Sequence, residues 1–413
     1  MSNPPKIAII GAGPAGTTLA RLLVLQSIPV TIFEGESSIG VRGQGGTLDL
    51  HDDTGLKALK EASLFDQFQK YARYDGEAIQ VVDKNMKIYL KLGGTTEATS
   101  RGRPEIDRER LREILLHSLP ADTIRWNCRL RKIDTQDLSL HFDHGVERGF
   151  DLIVGADGAW SKVRPAVTDV KPYYAGIGGY DLYLDNVKER YPDLHKLVNR
   201  GSIFSASDGK NISAQQKGDG SLIIYAMSAR DEDWMKTCGY DVHNPAEVKR
   251  ALAKEYSDWA EPLRKITQAA NDKDPFPRCL YMLPIGHRWK HRKGVTLIGD
   301  AAHLMTPHAG EGVNVAMKDS LNLAKAIIRS AKEKQSSRGL DEEVRLFEEE
   351  MFKRAEPVAR QSKLNGEDMF FTPGAPYTSI HRWVRRALED HWFVRVFVPL
   401  WFVRFLLRLI FWW

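Results

Sequence analysis

At 413 residues the chain exceeds the roughly 100 to 200 residues of an ordinary domain, which predicts two interlocked domains with sizeable cores. Its 59 basic and 54 acidic side chains leave a net charge of +5, too small to imply nucleic acid, and no such partner is expected. Cys128, Cys238 and Cys279 lie far apart and form no CxxC pair, which excludes a disulfide framework and a cysteine-held zinc.

The N-terminal "MSNPP" enters an apolar run without the pattern of a secretory signal, so a cytoplasmic location is expected. Residues 6 to 10 (KIAII) are continuously apolar, as in a central parallel strand. "PAGTTLARLLVLQS" then keeps helical spacing, and "VTIFE" supplies a second strand, completing a strand, helix, strand unit. Gly11, Gly13 and Gly16 stand in GxGxxG register between the first strand and its helix. Gly11 permits a tight turn, Gly13 lets backbone approach a pyrophosphate, and Gly16 lets helix and strand pack closely. The free N–H groups and the positive dipole end of the helix then face the phosphates. Glu34, 21 residues after Gly13, is placed to accept hydrogen bonds from an adenosine ribose. Turn glycines also serve purely structural ends. The agreement of strand, helix, second strand and terminal acid favours a dinucleotide, FAD or NAD.

Farther along, "DRERLREILLHSL" (107–119) reads as an amphipathic helix and "FDLIVGADGAWSKVR" (150–164) as a buried strand ending in a turn. From about 171 to 278 the texture is β-rich, with one signposted helix: Asn244 as N-cap, Pro245 at the first position and Glu247 completing a capping box. The α/β texture returns at "GVTLIGD", so the middle region is read as an insertion. "LDEEVRLFEEEMFKRAEPVARQSKL" (340–364) follows as a long helix. The expected class is α/β: a Rossmann-like nucleotide-binding domain over 1–170 and 286–330, an inserted β-rich substrate domain over 171–285, a helical region over 331–380 and a basic apolar tail over 381–413.

Gly299, Asp300 and the Gly310-Glu311-Gly312 turn form a second glycine-rich site nearly three hundred residues after the first. A nicotinamide nucleotide alone has no evident need of it, whereas FAD is long enough to use both. Asp300, at the end of a buried strand, is placed for the ribityl hydroxyls. A helix beginning near Gly312 points its amides at the flavin ring, where negative charge gathers on reduction.

Together the GxGxxG, the "GADG" turn at Asp157 and Gly158, and "GDAAHLMTPHAGEG" resemble the three fingerprints of the single-component FAD-dependent aromatic hydroxylases, the para-hydroxybenzoate hydroxylase group. "RGQGGTLDLH", "PEIDRERLREILL", "EYSDW" and "LIGDAAHLMTPHAGEGVN" look most like its tetracycline-inactivating members, with the likeness spread over about residues 6 to 365. The resemblance implies that Arg42 and Asp49 lie near the flavin, that Arg108 and Asp300 contact FAD, and that Asp157 serves both FAD and NADPH. Arg108 pairing with Glu105 or Glu109, and Asp157 capping its own turn, are the structural alternatives. His308 and Glu311 depart from the tetracycline-inactivating pattern, which has an aromatic residue and a glutamine there. Tyr180 falls roughly where those enzymes bind substrate with a polar side chain, and His308 is a second candidate for substrate contact.

By the same resemblance, NADPH or NADH visits as a transient hydride donor and O2 yields a flavin C4a-hydroperoxide that oxygenates an aromatic or polycyclic, polyketide- or terpenoid-like molecule. No catalytic triad is then required, and no GxSxG, HExxH or P-loop occurs in the sequence. His303 and His308 lack a third ligand at suitable spacing, so no metal is expected. A flavin oxidase or saturase, or a non-catalytic relative, shares the fold and is the competing reading.

Six arginines (Arg382, Arg385, Arg386, Arg395, Arg404, Arg408) against Glu389 and Asp390 put +4 of the net +5 into residues 381–413. Residues 392–413 are long enough to cover a bilayer, but Pro399 and three arginines oppose a simple span, each central arginine costing about 2.5 to 3.5 kcal/mol. Peripheral association with a cytoplasmic membrane face suits the tryptophans and arginines better. The alternative is a core-packing or dimer-burying helix that caps the substrate cleft.

Overall fold

The computed structural model describes residues 4–39, 45–272, 275–332, 339–388 and 398–411. They form two compact units. The first comprises Met1–Ala72, Ile106–Tyr173 and Tyr281–Arg360; the second comprises Arg73–Glu105, Tyr174–Leu280 and Gln361–Trp413.

A five-stranded parallel sheet organises the first unit, in the order Val295–Leu297, Leu152–Gly155, Ile7–Ile10, Val30–Phe33, Ile124–Arg125. Ile7–Ile10 is central and buried at every position, because helices cover both faces of such a sheet and leave no side to alternate toward water. The helix Pro14–Val24 returns from it and packs against Gly312–Lys332. Two helices that start nearly three hundred residues apart in sequence thus become neighbours, and the strands Leu152–Gly155 and Val295–Leu297 pair in register in the sheet beneath them, Ile153 opposite Val295.

In the second unit a seven-stranded sheet runs in the order Phe276–Met282, Tyr173–Leu184, Leu222–Ala229, Lys210–Gln216, Ser202–Ser207, Ile79–Val82, Ile88–Leu92. Residues 73–105, which the sequence reading places in the nucleotide-binding domain, supply its last two strands as a hairpin. An isolated hairpin is marginal in water, and pairing Ile79–Val82 parallel to Ser202–Ser207 gives it a sheet to extend. Helices Pro245–Glu255 and Glu261–Ala269 bury Val248, Leu252, Leu263 and Ile266 in the core of this unit. Asn244 caps the former, its Oδ1 accepting from the N–H groups of Ala246 (3.0 Å) and Glu247 (3.2 Å). The expected reciprocal bond is displaced: the Glu247 carboxylate accepts from the N–H of Asp241 at 2.8 Å. The long helix is Leu340–Phe370, and two short ones, Ile380–Ala387 and Leu400–Phe411, follow it. Among the described residues no helix is long and apolar enough to cross a membrane.

Candidate functional site

In the first unit the turn after Ile7–Ile10 is built as its glycines require. Gly11 has φ +107°, and a Cβ there would lie 2.5 Å from the carbonyl oxygen of Ala156. At Gly16 a Cβ would overlap the carbonyl oxygen of Gly11, so helix and strand meet too closely for any side chain. Gly13 is different. Nothing lies within 4 Å of its Cβ position, and no side chain caps the helix that starts after it. Its first-turn N–H groups therefore remain available to an anion. Glu34 is buried, and its carboxylate accepts from the N–H of Ala12 at 2.6 Å and of Glu36 at 3.0 Å. It ties the turn to the second strand and has further lone pairs for a hydroxyl.

The second turn sits beside the first. Gly299 has φ +60°, and its Cβ position lies 3.4 Å from the Cβ of Ala15. Its N–H donates at 2.8 Å to Asp319, a fully buried carboxylate that also accepts from His303 (2.6 Å) and Arg354 (2.8 Å). Burial alone would raise the Asp319 pKa, but these partners hold it low, and the Asp319 charge in turn pushes the His303 pKa up against the opposing effect of its burial. Asp300 is exposed, and nothing among the described residues hydrogen-bonds its carboxylate. Protein crowded around it pushes its pKa up, opposed by the positive charges of His303, Arg108 and Arg164. Arg108 is also exposed and makes no ion pair among the described residues; its stem runs over Gly45, whose Cβ position lies 2.6 Å from Arg108 Cδ. An aspartate and an arginine, both open and within electrostatic reach, thus stand by the turn.

Gly310 and Gly312 open the way to the helix Gly312–Lys332. Gly310 has φ +71°, and nothing lies within 4 Å of the Cβ position of Gly312. Asn314, fully buried in the first helical turn, accepts from the N–H of His51 at 2.9 Å and donates to the carbonyl of Asp49 at 2.8 Å. His51 in turn lies between two carboxylates, with Nε2 3.0 Å from Asp49 and Nδ1 3.2 Å from Glu311. Burial would depress this imidazolium, but hydrogen bonds and charge from both acids outweigh it and raise its pKa to about 9. Glu311, which stands where the tetracycline-inactivating pattern has a glutamine, is therefore paired. His308 has Nδ1 3.0 Å from the Thr306 hydroxyl, and burial holds its pKa down at about 4, so it is neutral.

Five residues of this constellation are given no role by the sequence reading: His51, Arg164, Asn314, Asp319 and Arg354. Arg164 is buried, and its guanidinium bonds the carbonyls of Ala301 (2.8 Å), Ala159 (3.0 Å) and Asp300 (3.0 Å), joining the "GADG" turn to the second turn. Asp157 turns to its own segment, accepting from the Ser161 hydroxyl at 2.5 Å and the N–H of Lys162 at 2.6 Å. Arg42 lies outside the described residues. Tyr180 is corrected. It is fully buried in the core of the second unit, edge-on to Trp234 at 5.3 Å with its hydroxyl 3.2 Å from that of Tyr240, so it presents no surface to a substrate.

Among its described residues the first unit therefore offers an uncapped helix N-terminus at Gly13, open space at the helix start at Gly312, open carboxylate acceptors at Asp300 and a cation at Arg108, the donor and acceptor set that a phosphate-bearing polyol with a flat polar ring requires. Residues 5–355 match the family model described as an FAD binding domain. Monooxygenase asqM of Emericella nidulans is 33% identical over 378 residues, covering 78% of this chain and 84% of that protein. Among solved structures, Klebsiella pneumoniae HpxO complexed with FAD and uric acid has a TM-score of 0.73 at 17% identity over 96% of each chain. Tetracycline destructase Tet(55) has a TM-score of 0.71 at 18% identity, covering 97% of this chain and 99% of that one. These values do not single out the tetracycline-inactivating enzymes, so that likeness stands at the level of the family. The chain belongs to the FAD-binding-domain family, as a single-component FAD-dependent monooxygenase of the para-hydroxybenzoate hydroxylase type.

Proposed function

We propose that the chain uses NADPH or NADH and O2 to insert one oxygen atom into an aromatic or polycyclic small molecule of polyketide or terpenoid character, releasing the other as water. The observation that carries this reading is the uncapped helix N-terminus after Gly13 beside a second glycine turn, where the Asp300 carboxylate is exposed and has no hydrogen-bond partner among the described residues. Bound FAD supplies the redox and oxygen-transferring chemistry, and the side chains bind, orient and balance charge. Amides after Gly13 would hold the pyrophosphate, and Glu34 would accept from the adenosine ribose. Asp300 would accept from the ribityl hydroxyls, with His303, Arg108 and Arg164 offsetting its charge. Amides after Gly312 would supply positive partial charge to a flavin bound there, and the His51 imidazolium between Asp49 and Glu311 would keep those acids from opposing it.

The substrate class draws support from two structural relatives, one complexed with uric acid and one a tetracycline destructase, since uric acid and tetracycline are both ring-bearing molecules. Candidate aromatics are screened for stimulated NAD(P)H oxidation, and turnover is then run under labelled dioxygen. One labelled oxygen atom in the product is expected. Unlabelled product with stoichiometric hydrogen peroxide would instead establish the oxidase reading.

A further inference from the structure

The helix Leu400–Phe411, in the second unit, is apolar on two sides. Val403 and Leu407 are buried against Val81, Tyr89, Leu90 and Ile380, which fixes the helix on the outer strands of the sheet and on the helix Ile380–Ala387. The opposite side is bare: Trp401 is 70% exposed, Leu409 63%, Ile410 60% and Phe405 55%, with Phe402 and Leu406 beside them. Seven of the eighteen large apolar side chains exposed among the described residues lie on this one helix, so they form a patch rather than scattered singles. With residues spaced about 100° apart, the six just named cover an uninterrupted arc of about 180°. Arg404 and Arg408 line one border of that arc next to Trp401, their guanidinium groups 5.4 and 5.3 Å from the Tyr377 ring.

We propose that this face lies flat in the surface of a bilayer containing anionic lipid. The helix is 12 residues long, about 18 Å, and is too short for a hydrocarbon core of roughly 30 Å, so it cannot span. Its apolar arc with tryptophan and arginines at the border has the arrangement of an in-plane helix, in which aromatic rings and cations sit among headgroups. Charge selects lipid over a second copy. Residues 391–413 carry Arg395, Arg404 and Arg408 and no acidic residue. A two-fold pairing of this face would set its own arginine border against itself without a carboxylate to answer it, whereas anionic headgroups complement it.

The test uses the full-length flavoprotein with vesicles of phosphatidylcholine alone and of phosphatidylcholine mixed with phosphatidylserine. Wild type is expected to co-sediment with the mixed vesicles and to be released by salt. Trp401→Ser/Phe405→Ser/Leu409→Ser, all at exposed positions, is expected to lower partitioning by more than about a hundredfold while bound-flavin absorbance stays unchanged. Arg404→Gln/Arg408→Gln is expected to weaken binding to the mixed vesicles by about fivefold per arginine and to change the neutral-vesicle result little. The proposal is overturned if wild type stays in the supernatant with both vesicles, or if the triple variant binds like wild type. It is equally overturned if wild type binds no vesicles and is a dimer that the triple variant converts to monomer, which would make the face an interface between copies.

Discussion

The pairing of His51 with Asp49 and Glu311 makes stability depend on alkaline pH in a way that can be worked out. The folded-state pKa of about 9 lies above the ordinary 6.5, so the stabilisation is complete below about pH 6.5 and is lost as pH rises through about 9. A shift of that size corresponds to about 3 kcal/mol for a buried imidazolium. Glu311→Gln removes one of the two acids 3.2 Å or less from the ring and leaves the other, so about half of that sum, 1 to 2 kcal/mol, is expected to disappear. Urea unfolding of wild type and variant in saturating FAD, at a series of pH values from about 6 to 10, measures this directly. The two curves are expected to be separated at pH 6 and to converge by pH 10. Curves that stay parallel across the range would show that His51 does not hold its proton against Glu311, and the argument for a neutralised Glu311 would fail.

Gly16→Val forces a side chain into the Gly11 carbonyl and against Ile9, 3.1 Å from the Cβ position. Overpacking of this kind costs about 1 to 3 kcal/mol, and FAD titration is expected to show at least a tenfold weaker affinity in a protein with native circular dichroism. Arg164→Met leaves the carbonyls of Ala159, Asp300 and Ala301 without their donor. A loss of about 2 to 3 kcal/mol is expected, read as a lower thermal midpoint; an unchanged midpoint would show that these bonds do not brace the turn. Tyr180→Phe removes only the bond to Tyr240, so about 1 kcal/mol of stability is expected to go while KM stays constant, and a raised KM would return Tyr180 to the substrate site.

The parts of the site that the sequence makes legible are those written in local patterns. A continuous apolar run followed by spaced glycines specifies a buried strand, a tight turn and an open helix end, and Gly11, Gly13, Gly16, Gly299 and Gly312 are placed accordingly. Asn244 is legible for the same reason, since a cap acts within three residues. Arg164, Asn314 and Asp319 are not, because their partners lie across the fold: Arg164 meets Ala301 137 residues away, and Asn314 meets His51 263 residues away. Nothing in their neighbours distinguishes them from surface polar residues. The pairing of Glu311 is hidden for the same reason, since its partner His51 lies 260 residues earlier in the chain. Tyr180 had a readable signal. Tyr180, Leu182 and Leu184 alternate with Asp181 and Tyr183, the period of a strand with one apolar face, and all three are buried together. Residues 73–105 are misassigned because a hairpin carries no mark of which sheet it joins.

That one FAD molecule is held by both turns is tested most directly by titrating flavin-free protein with FAD, following absorbance and heat, for wild type, Gly16→Val and Asp300→Ala. The account predicts one FAD per chain, yellow protein, and weaker binding for each variant, by about ten- to a hundredfold for loss of the charged acceptor at Asp300. Wild-type protein that stays colourless in excess FAD, or Asp300→Ala that binds it with wild-type affinity, would contradict it.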